Sequence, residues 1–173
     1  QENADGEPKF MCDFVMDFAT TVRQLVNQVV AVGRGLLIQV DGVYQIAIDQ
    51  PKTTPKQMFT PRNINNFSGT RTYPDRKHFI KARFVDGESG YQLRNYKVYD
   101  DNYDESNATT FESMDVFGVT RSRQAYEQTR WTMAQAISRS AEYTFTTDME
   151  YLTCKRGDLV YLQHDVPRAG GLP

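Results

Sequence analysis

The sequence predicts an α+β protein built from two small units, and three observations lead to this fold class. One long stretch, 120–140, repeats apolar and small residues at helical spacing. Short segments on both sides of it alternate apolar and polar residues, as strands do. A Pro-rich stretch interrupts these patterns. We therefore predict a β-α-β-β unit over 1–50, a connector over 51–76, and an antiparallel sheet or partial barrel carrying one long helix over 77–167, followed by a tail over 168–173.

The long helix is the element around which we expect the second unit to form. Thr120 is the predicted N-cap, because its hydroxyl can accept a hydrogen bond from a free amide of the first turn. Small residues dominate the predicted buried face, so the helix can lie close against a sheet. The residues of this face are Ala125, Thr129, Thr132, Met133, Ala136 and Ile137. Since no side chain here suggests catalysis, we expect the helix to have an architectural role.

The first fifty residues contain a strand, a helix and a hairpin by their patterns. Lys9–Met16 alternates like a half-buried strand, and a helix capped by Asp17 or Thr20 continues to about Val32. An Asp-Gly pair between two apolar runs is a strong hairpin signal. The predicted hairpin strands are Leu36–Val40 and Val43–Ile48 around Asp41-Gly42.

The strand signal returns beyond the connector, on both sides of the long helix. Each segment alternates or is bounded by turn residues, which favours an antiparallel arrangement. The predicted strands are Lys77–Val85, Tyr91–Tyr99, a segment from Phe111, Ala141–Thr147, Tyr151–Cys154 and Leu159–Gln163.

The composition is that of a globular protein without an overall bias towards nucleic acid or anionic membranes. Of the residues, 39% are hydrophobic and 24% are charged, and the net charge is −2. The longest apolar run, 35–40, is far shorter than the roughly 20 residues of a membrane span. Cys12 and Cys154 fit no zinc-ligand spacing, so we expect two reduced, mostly buried thiols. Both ends of the sequence are typical of a piece cut from a longer polypeptide.

Candidate catalytic residues are few. His78 lies among basic residues, and His164 precedes Asp165, which makes a ligand or a general base conceivable. Adjacent strand residues point to opposite faces, however, so His164 and Asp165 do not favour a joint site. The sequence also has no nucleophile elbow, phosphate loop or HExxH motif. We therefore predict no catalytic, cofactor-binding or metal-binding residues.

An acidic cluster surrounds Tyr103. Its members are Asp100, Asp101, Asp104 and Glu105. Such a run could bind Ca²⁺, but it lacks the ligand order and the glycine of an EF-hand loop, so a solvated acidic loop is favoured. A carboxylate pair for glycoside hydrolysis also stays open, because the sequence does not show which carboxylates face each other.

Charge is distributed unevenly along the chain. Residues 50–85 carry a net charge of +7, and residues 86–115 carry −6. One interpretation is a nucleic-acid groove with Phe67, Tyr73 and Phe79 interleaved among the basic residues. The favoured interpretation is two oppositely charged surfaces that meet each other or a neighbouring subunit. The basic residues are Lys52, Lys56, Arg62, Arg71, Arg76, Lys77, Lys81 and Arg83.

Five stretches of the chain form a series with a characteristic order and spacing. They are EPKFMCDFVMD, GRGLL, KARFVDGESGYQ, VFGVTRSRQAYEQTRWTMAQ and CKRGDLVYL. In this order they resemble the central region of host-specificity protein J, the tip attachment protein family of long, non-contractile phage tails. The resemblance extends from Glu7 to Pro167. It departs from the family at Arg156, where Pro is usual, and in the acidic loop 100–107, which is more charged.

The resemblance implies a tail hub rather than an enzyme. In that family this region belongs to a homotrimer that closes the tail tube at the virion tail tip, after assembly in the host cytoplasm. It combines tube-like β domains with α+β insertions, and receptor binding lies in more C-terminal segments. The implied partners are other tail-tip and tail-tube proteins, with DNA or the tape-measure protein passing through the lumen. A cell-wall or polysaccharide-acting tail enzyme and a nucleic-acid-binding module stay open as alternatives.

Overall fold

A computed structural model describes residues 8–17, 19–40, 42–72 and 76–165, and it confirms the α+β class. The helices are α1, Val22–Val32, and α2, Ser122–Ser138, with a short 3-10 helix at Met149–Thr153. The strands are β1 Gly35–Val40, β2 Val43–Ile48, β3 Gln57–Phe59, β4 Asn65–Arg71, β5 Phe79–Asp86, β6 Gln92–Tyr99, β7 Phe111–Asp115, β8 Ala141–Thr146 and β9 Val160–Leu162.

The chain forms two compact units, and each is assembled from two separate segments. Unit 1 comprises Gln1–Gly35 and Pro74–Arg139, and unit 2 comprises Leu36–Tyr73 and Ser140–Pro173. This grouping differs from the predicted division into 1–50, 51–76 and 77–167. The reason is strand pairing: β3 and β4, which lie inside the predicted connector, pair with β9 and β8 from the far end of the chain.

The sheet of unit 1 has the order β6-β5-β7 and is mixed rather than antiparallel as predicted. β5 and β6 are antiparallel, with Phe79 opposite Tyr99. β5 and β7 are parallel, with Phe79 opposite Phe111. The loop 100–110 explains the mixture, because both its ends bond to the backbone of His78: Asp100 N donates to His78 O (2.9 Å), and His78 N donates to Thr110 O (3.0 Å). The chain thus crosses the start of β5 and begins β7 beside it.

The core of unit 1 lies between this sheet and α2. Ile80, Ala82 and Phe84 alternate along β5 and are buried. On α2, Ala125 and Thr129 have no exposed surface, which confirms the predicted small-residue face near the start of the helix. The Thr129 hydroxyl donates to Ala125 O at 2.7 Å, so this buried polar group is satisfied within the helix. The prediction fails at Ala136, which is exposed.

The start of α2 differs from the prediction by one residue. Arg121, and not Thr120, is the N-cap, and it makes no side-chain capping bond. The Thr120 hydroxyl instead donates to Asp13 Oδ2 at 2.9 Å. The predicted caps of α1, Asp17 and Thr20, are also wrong. The N-cap is Thr21, whose reciprocal bonds with Gln24 form a capping box.

The segment predicted as a strand at 9–16 is extended but pairs with no strand over these residues. The side-chain amide of Gln124 makes the backbone hydrogen bonds there that a neighbouring strand would make. Gln124 Oε1 accepts from Met11 N (3.2 Å), and Gln124 Nε2 donates to Met11 O (2.9 Å). Asp13 N then donates to Gly118 O at 2.9 Å. These bonds attach the segment to the start of α2.

Unit 2 contains three two-stranded sheets, β1-β2, β3-β9 and β4-β8. The first is the hairpin that the Asp-Gly pair predicted. β3 and β9 are parallel, whereas β4 and β8 are antiparallel with a register shift between Asn65 and Ser68. The strand predicted at 151–154 is wrong, since this stretch belongs to the 3-10 helix. Leu152 there is largely exposed, so the apolar pattern faces no core.

Candidate interaction surfaces

The two histidines singled out by the sequence lie in different units, and both rings are stacked. His78 stacks on Tyr103 with ring centroids 3.9 Å apart, and its Nδ1 accepts from Thr109 N at 3.0 Å. These contacts hold the loop 100–110 against the start of β5. His164 stacks on Phe67 at 4.2 Å. Both rings therefore contribute to packing.

The acidic cluster is held by basic side chains of unit 1. Arg130 Nη2 donates to Asp101 at 2.6 Å, and Lys97 Nζ donates to Glu105 at 2.8 Å. The Lys97 ammonium lowers the pKa of Glu105 through this hydrogen bond. Asp104 accepts from the hydroxyl and amide of Ser106, and these bonds lower its pKa. The charge of the loop is thus offset locally.

A metal site is not formed by this loop or elsewhere in the described ranges. No group of three or more His, Cys, Asp or Glu side chains among them is placed to hold a metal ion. The two cysteines are free thiols, as predicted, and both are half-buried. Burial, reinforced by the neighbouring Asp13 carboxylate, raises the pKa of Cys12.

The basic stretch is divided between the two units, with four of its residues in each. In unit 2, Lys52 pairs with Asp158 at 3.1 Å. In unit 1, Arg83 makes a bidentate pair with Asp115, in which Nη2 donates to Oδ2 at 2.7 Å. The Arg83–Asp115 pair joins one residue of the basic stretch to one residue of the acidic stretch.

Asp86 is a fully buried carboxylate that the sequence patterns did not single out as a site. It accepts from Arg94 Nη1 at 2.7 Å, from Ser89 Oγ at 2.8 Å and from Glu88 N at 3.1 Å. These bonds, that of Arg94 first, hold the pKa of Asp86 below its ordinary value. The same turn places Tyr91 at a φ of 60°, a conformation that bulky residues rarely adopt. The carboxylate therefore organises a strained turn between β5 and β6.

We expect Asp86→Asn to lower the thermal midpoint of unit 1 by several degrees at neutral pH, because Asn cannot replace the charged acceptor. A depressed folded-state pKa contributes stability that is present above the unfolded value of about 3.9 and is lost as the pH falls through the folded value. The difference in thermal midpoint between wild type and variant should therefore narrow below about pH 4. Thermal unfolding of both proteins at a series of pH values measures this difference. A difference in midpoint that stays constant with pH would contradict the assigned role.

The face of the unit 1 sheet that points away from α2 is open. A groove of about 1100 Å³ lies beside it, between this sheet and the extended segment 12–15. Its walls are mainly apolar, with Val85, Leu93 and Phe117 among them, and the Arg83–Asp115 pair lies along it. Leu93 and Tyr91 are largely exposed at its rim. Exposed apolar patches of this kind mark contact surfaces.

A second open apolar surface lies on β2 in unit 2. Val43, Tyr44, Ile46 and Ile48 are each more than half exposed. Because successive strand residues point to opposite faces, Tyr44, Ile46 and Ile48 share one side of β2, and this side is uncovered. No helix within the described ranges is long and apolar enough to cross a membrane.

Comparisons with known proteins agree on one class. A family model described as "Putative phage tail protein" matches residues 23–172. The chain is 26% identical over 157 residues to tip attachment protein J of Escherichia phage SECphi27, an alignment that covers 89% of this chain and 13% of that protein. The chain thus spans a small part of the length of this curated relative.

Solved structures share the fold. A tail protein from Neisseria meningitidis MC58 aligns with a TM-score of 0.63 at 12% identity, covering 91% of this chain and 49% of that one. The 43 kDa tail protein of prophage MuSo2 from Shewanella oneidensis aligns with a TM-score of 0.50 at 14% identity, covering 91% and 46%. At these identities the likeness concerns the fold alone.

Proposed function

The chain belongs to the phage tail protein family, and from this premise we propose that it is a structural module of the tail tip, part of a hub formed by three copies of a longer polypeptide. The match to a tip attachment protein over most of the chain supports the position at the tip. The observation that carries an assembly role is the open apolar surface present in each unit, since exposed apolar strands and grooves mark protein contacts.

The proposed partners are further copies of the same polypeptide and the other tail-tip and tail-tube proteins, with DNA passing through the lumen of the hub. A negatively charged lumen would keep DNA from adhering. The acidic loop gives little support for such a lining, because Asp101 and Glu105 are already paired with Arg130 and Lys97. We therefore assign no particular face of this module to the lumen.

The proposed role is structural and not catalytic. The carboxylates of the acidic loop and turn serve as acceptors within unit 1, which supports this role. Purified protein should release no sugars or peptides from peptidoglycan or capsule. It should also bind DNA weakly or not at all at low salt, where a binding module with several phosphate contacts would bind tightly. Hydrolysis or tight, salt-dependent DNA binding would favour an alternative function.

Antibody labelling tests the position at the tip. An antibody raised against the purified chain should label one end of phage tails, opposite the capsid, in electron micrographs of particles from an induced lysate. Pre-immune serum is the control. Label along the tail tube, or at the capsid end, would contradict the proposed position.

A further inference from the structure

Strand β2 presents one covered and one open side. On the covered side, Lys155 Nζ donates to Gln45 Oε1 at 3.2 Å, and Ala47 lies close to the turn at Gly157. On the open side, Tyr44, Ile46 and Ile48 are between 52% and 59% exposed. Three large apolar side chains in a row on one strand face lose a favourable burial term unless a partner covers them.

The hairpin also has few of the residues by which proteins protect a free sheet edge. Charged residues, prolines and bulges normally prevent an edge strand from pairing with another chain. Between Gly35 and Ile48 the sequence has no Pro, and Asp41 in the turn is the one charged residue. By contrast, the edge strand β6 of unit 1 carries Arg94 and Lys97. The β1-β2 edges are therefore suited to pairing.

Unit 2 has little apolar core of its own. Among the described residues, its buried hydrophobic side chains are Phe59 and Ile64, whereas both larger core clusters belong to unit 1. A two-stranded hairpin is at best marginally stable alone and gains stability when a further strand or layer covers its apolar face. A contact on β2 would supply that cover.

We propose that the open side of β2 and the edge beside it form the contact with a second copy of this chain. This inference rests on the proposed hub and names the surface through which its copies associate. The proposed hub supplies the occupant, because its copies must contact one another, and an apolar hairpin without charge in its strands offers nothing to a phosphate backbone. The described part of the hairpin forms a two-stranded sheet with β1 at one edge and β2 at the other. Pairing β2 of one copy with β1 of the next is a head-to-tail contact, and such contacts form a closed ring when the rotation between copies closes, as the three-copy hub requires.

The test compares the association of the wild-type chain and Ile46→Lys by analytical ultracentrifugation over a wide concentration range. Wild type should associate. The variant should associate about tenfold to a hundredfold more weakly, because it lacks an aliphatic side chain that the contact would bury and places a charge there instead. The matched control is Leu152→Lys, which alters a similarly exposed aliphatic residue in the 3-10 helix of unit 2, outside both open surfaces, and should leave association unchanged. Leu93→Lys tests the groove of unit 1 as the competing contact.

Hydrogen exchange of the wild-type chain gives a second readout that does not depend on a variant. Amides of Val43–Ile48 should exchange more slowly as concentration rises. If Ile46→Lys does not fold, the concentration-dependent protection of Val43–Ile48 in the wild-type chain still tests whether β2 forms the contact. Association that survives Ile46→Lys but is lost in Leu93→Lys, or oligomers without added protection of β2, would overturn the assigned surface and leave the hub standing. A chain that is monomeric throughout would overturn the assigned surface. The proposed hub is formed by the longer polypeptide, and its position at the tail tip is tested separately by antibody labelling.

Discussion

Gly118→Ala is expected to lower the free energy of unfolding of unit 1 by roughly 2 to 5 kcal/mol, the combined cost of a left-handed non-glycine residue and of overpacking. Gly118 has a φ of 66°, a conformation in which Cβ is strained. A methyl group there would lie 2.8 Å from Cys12 Sγ and 3.5 Å from Val32 Cγ2. The clash falls where the extended N-terminal segment bonds to the chain through Asp13 N and Gly118 O. Urea unfolding followed by the fluorescence of Trp131, the one tryptophan in the chain and a residue of α2, measures the loss in unit 1.

Gly90→Ala is the matched control for this substitution. Gly90 has a similar φ of 69°, but no heavy atom lies within 4 Å of the position a methyl group would take. Its replacement should therefore cost about 1 to 2 kcal/mol, the backbone term alone. Adding Cys12→Ala to Gly118→Ala should recover part of the larger loss, because it removes the sulfur in the clash. Equal losses of unfolding free energy for the two glycine variants would show that the clash with Cys12 does not contribute to the effect of Gly118→Ala.

The features that the sequence predicted well are those recorded in local spacing. The buried positions of Ala125, Thr129 and Met133 recur with the helical period, so they mark one face of α2 before any partner is known. The Asp41-Gly42 pair likewise marks the β1-β2 hairpin within two residues. In both cases the signal and the structure lie in the same short stretch.

The grouping of the chain into units differs from the predicted division because strand pairs join distant parts of the chain. β3 pairs with β9 in parallel, bringing Gln57 opposite Val160, and nothing in either three-residue strand specifies this partner. The prolines were also the reason that 51–76 was predicted as a connector. Pro55 and Pro61 lie on either side of β3, so they bound a short strand rather than exclude one.

The interaction surfaces show the same division between local and distant information. Alternation shows that Tyr44, Ile46 and Ile48 share a side of β2, but it does not show whether a layer covers that side. The charge pattern similarly predicted opposed surfaces without the pairs that form. Arg130 of α2 forms an ion pair with Asp101, so part of the charge of the acidic loop is compensated by a residue distant in sequence. Exposure and charge compensation both depend on tertiary neighbours.

Phe84→Ala is expected to reduce the free energy of unfolding of unit 1 by about 3 to 5 kcal/mol, the usual cost of truncating a buried phenylalanine. Phe84 is 2% exposed near the end of β5, within the cluster that contains Val32 of α1 and Ala125 of α2. Its ring fills the space between the sheet and both helices. Ala82 and Ala125 have no bulk with which to refill that space, so a cavity should remain.

Leu93→Ala on the neighbouring strand β6 is the matched control for Phe84→Ala. Leu93 is 62% exposed on the open face of the same sheet, so its truncation should change the unfolding free energy by about 0.5 kcal/mol or less. Trp131 fluorescence should report a large loss for Phe84→Ala and a small one for Leu93→Ala. Faster amide exchange along α2 should accompany the first variant, since the helix loses the ring beneath it. Similar losses for both variants would mean that the two sides of the sheet are equally covered, and the helix-covered core assigned to unit 1 would be wrong.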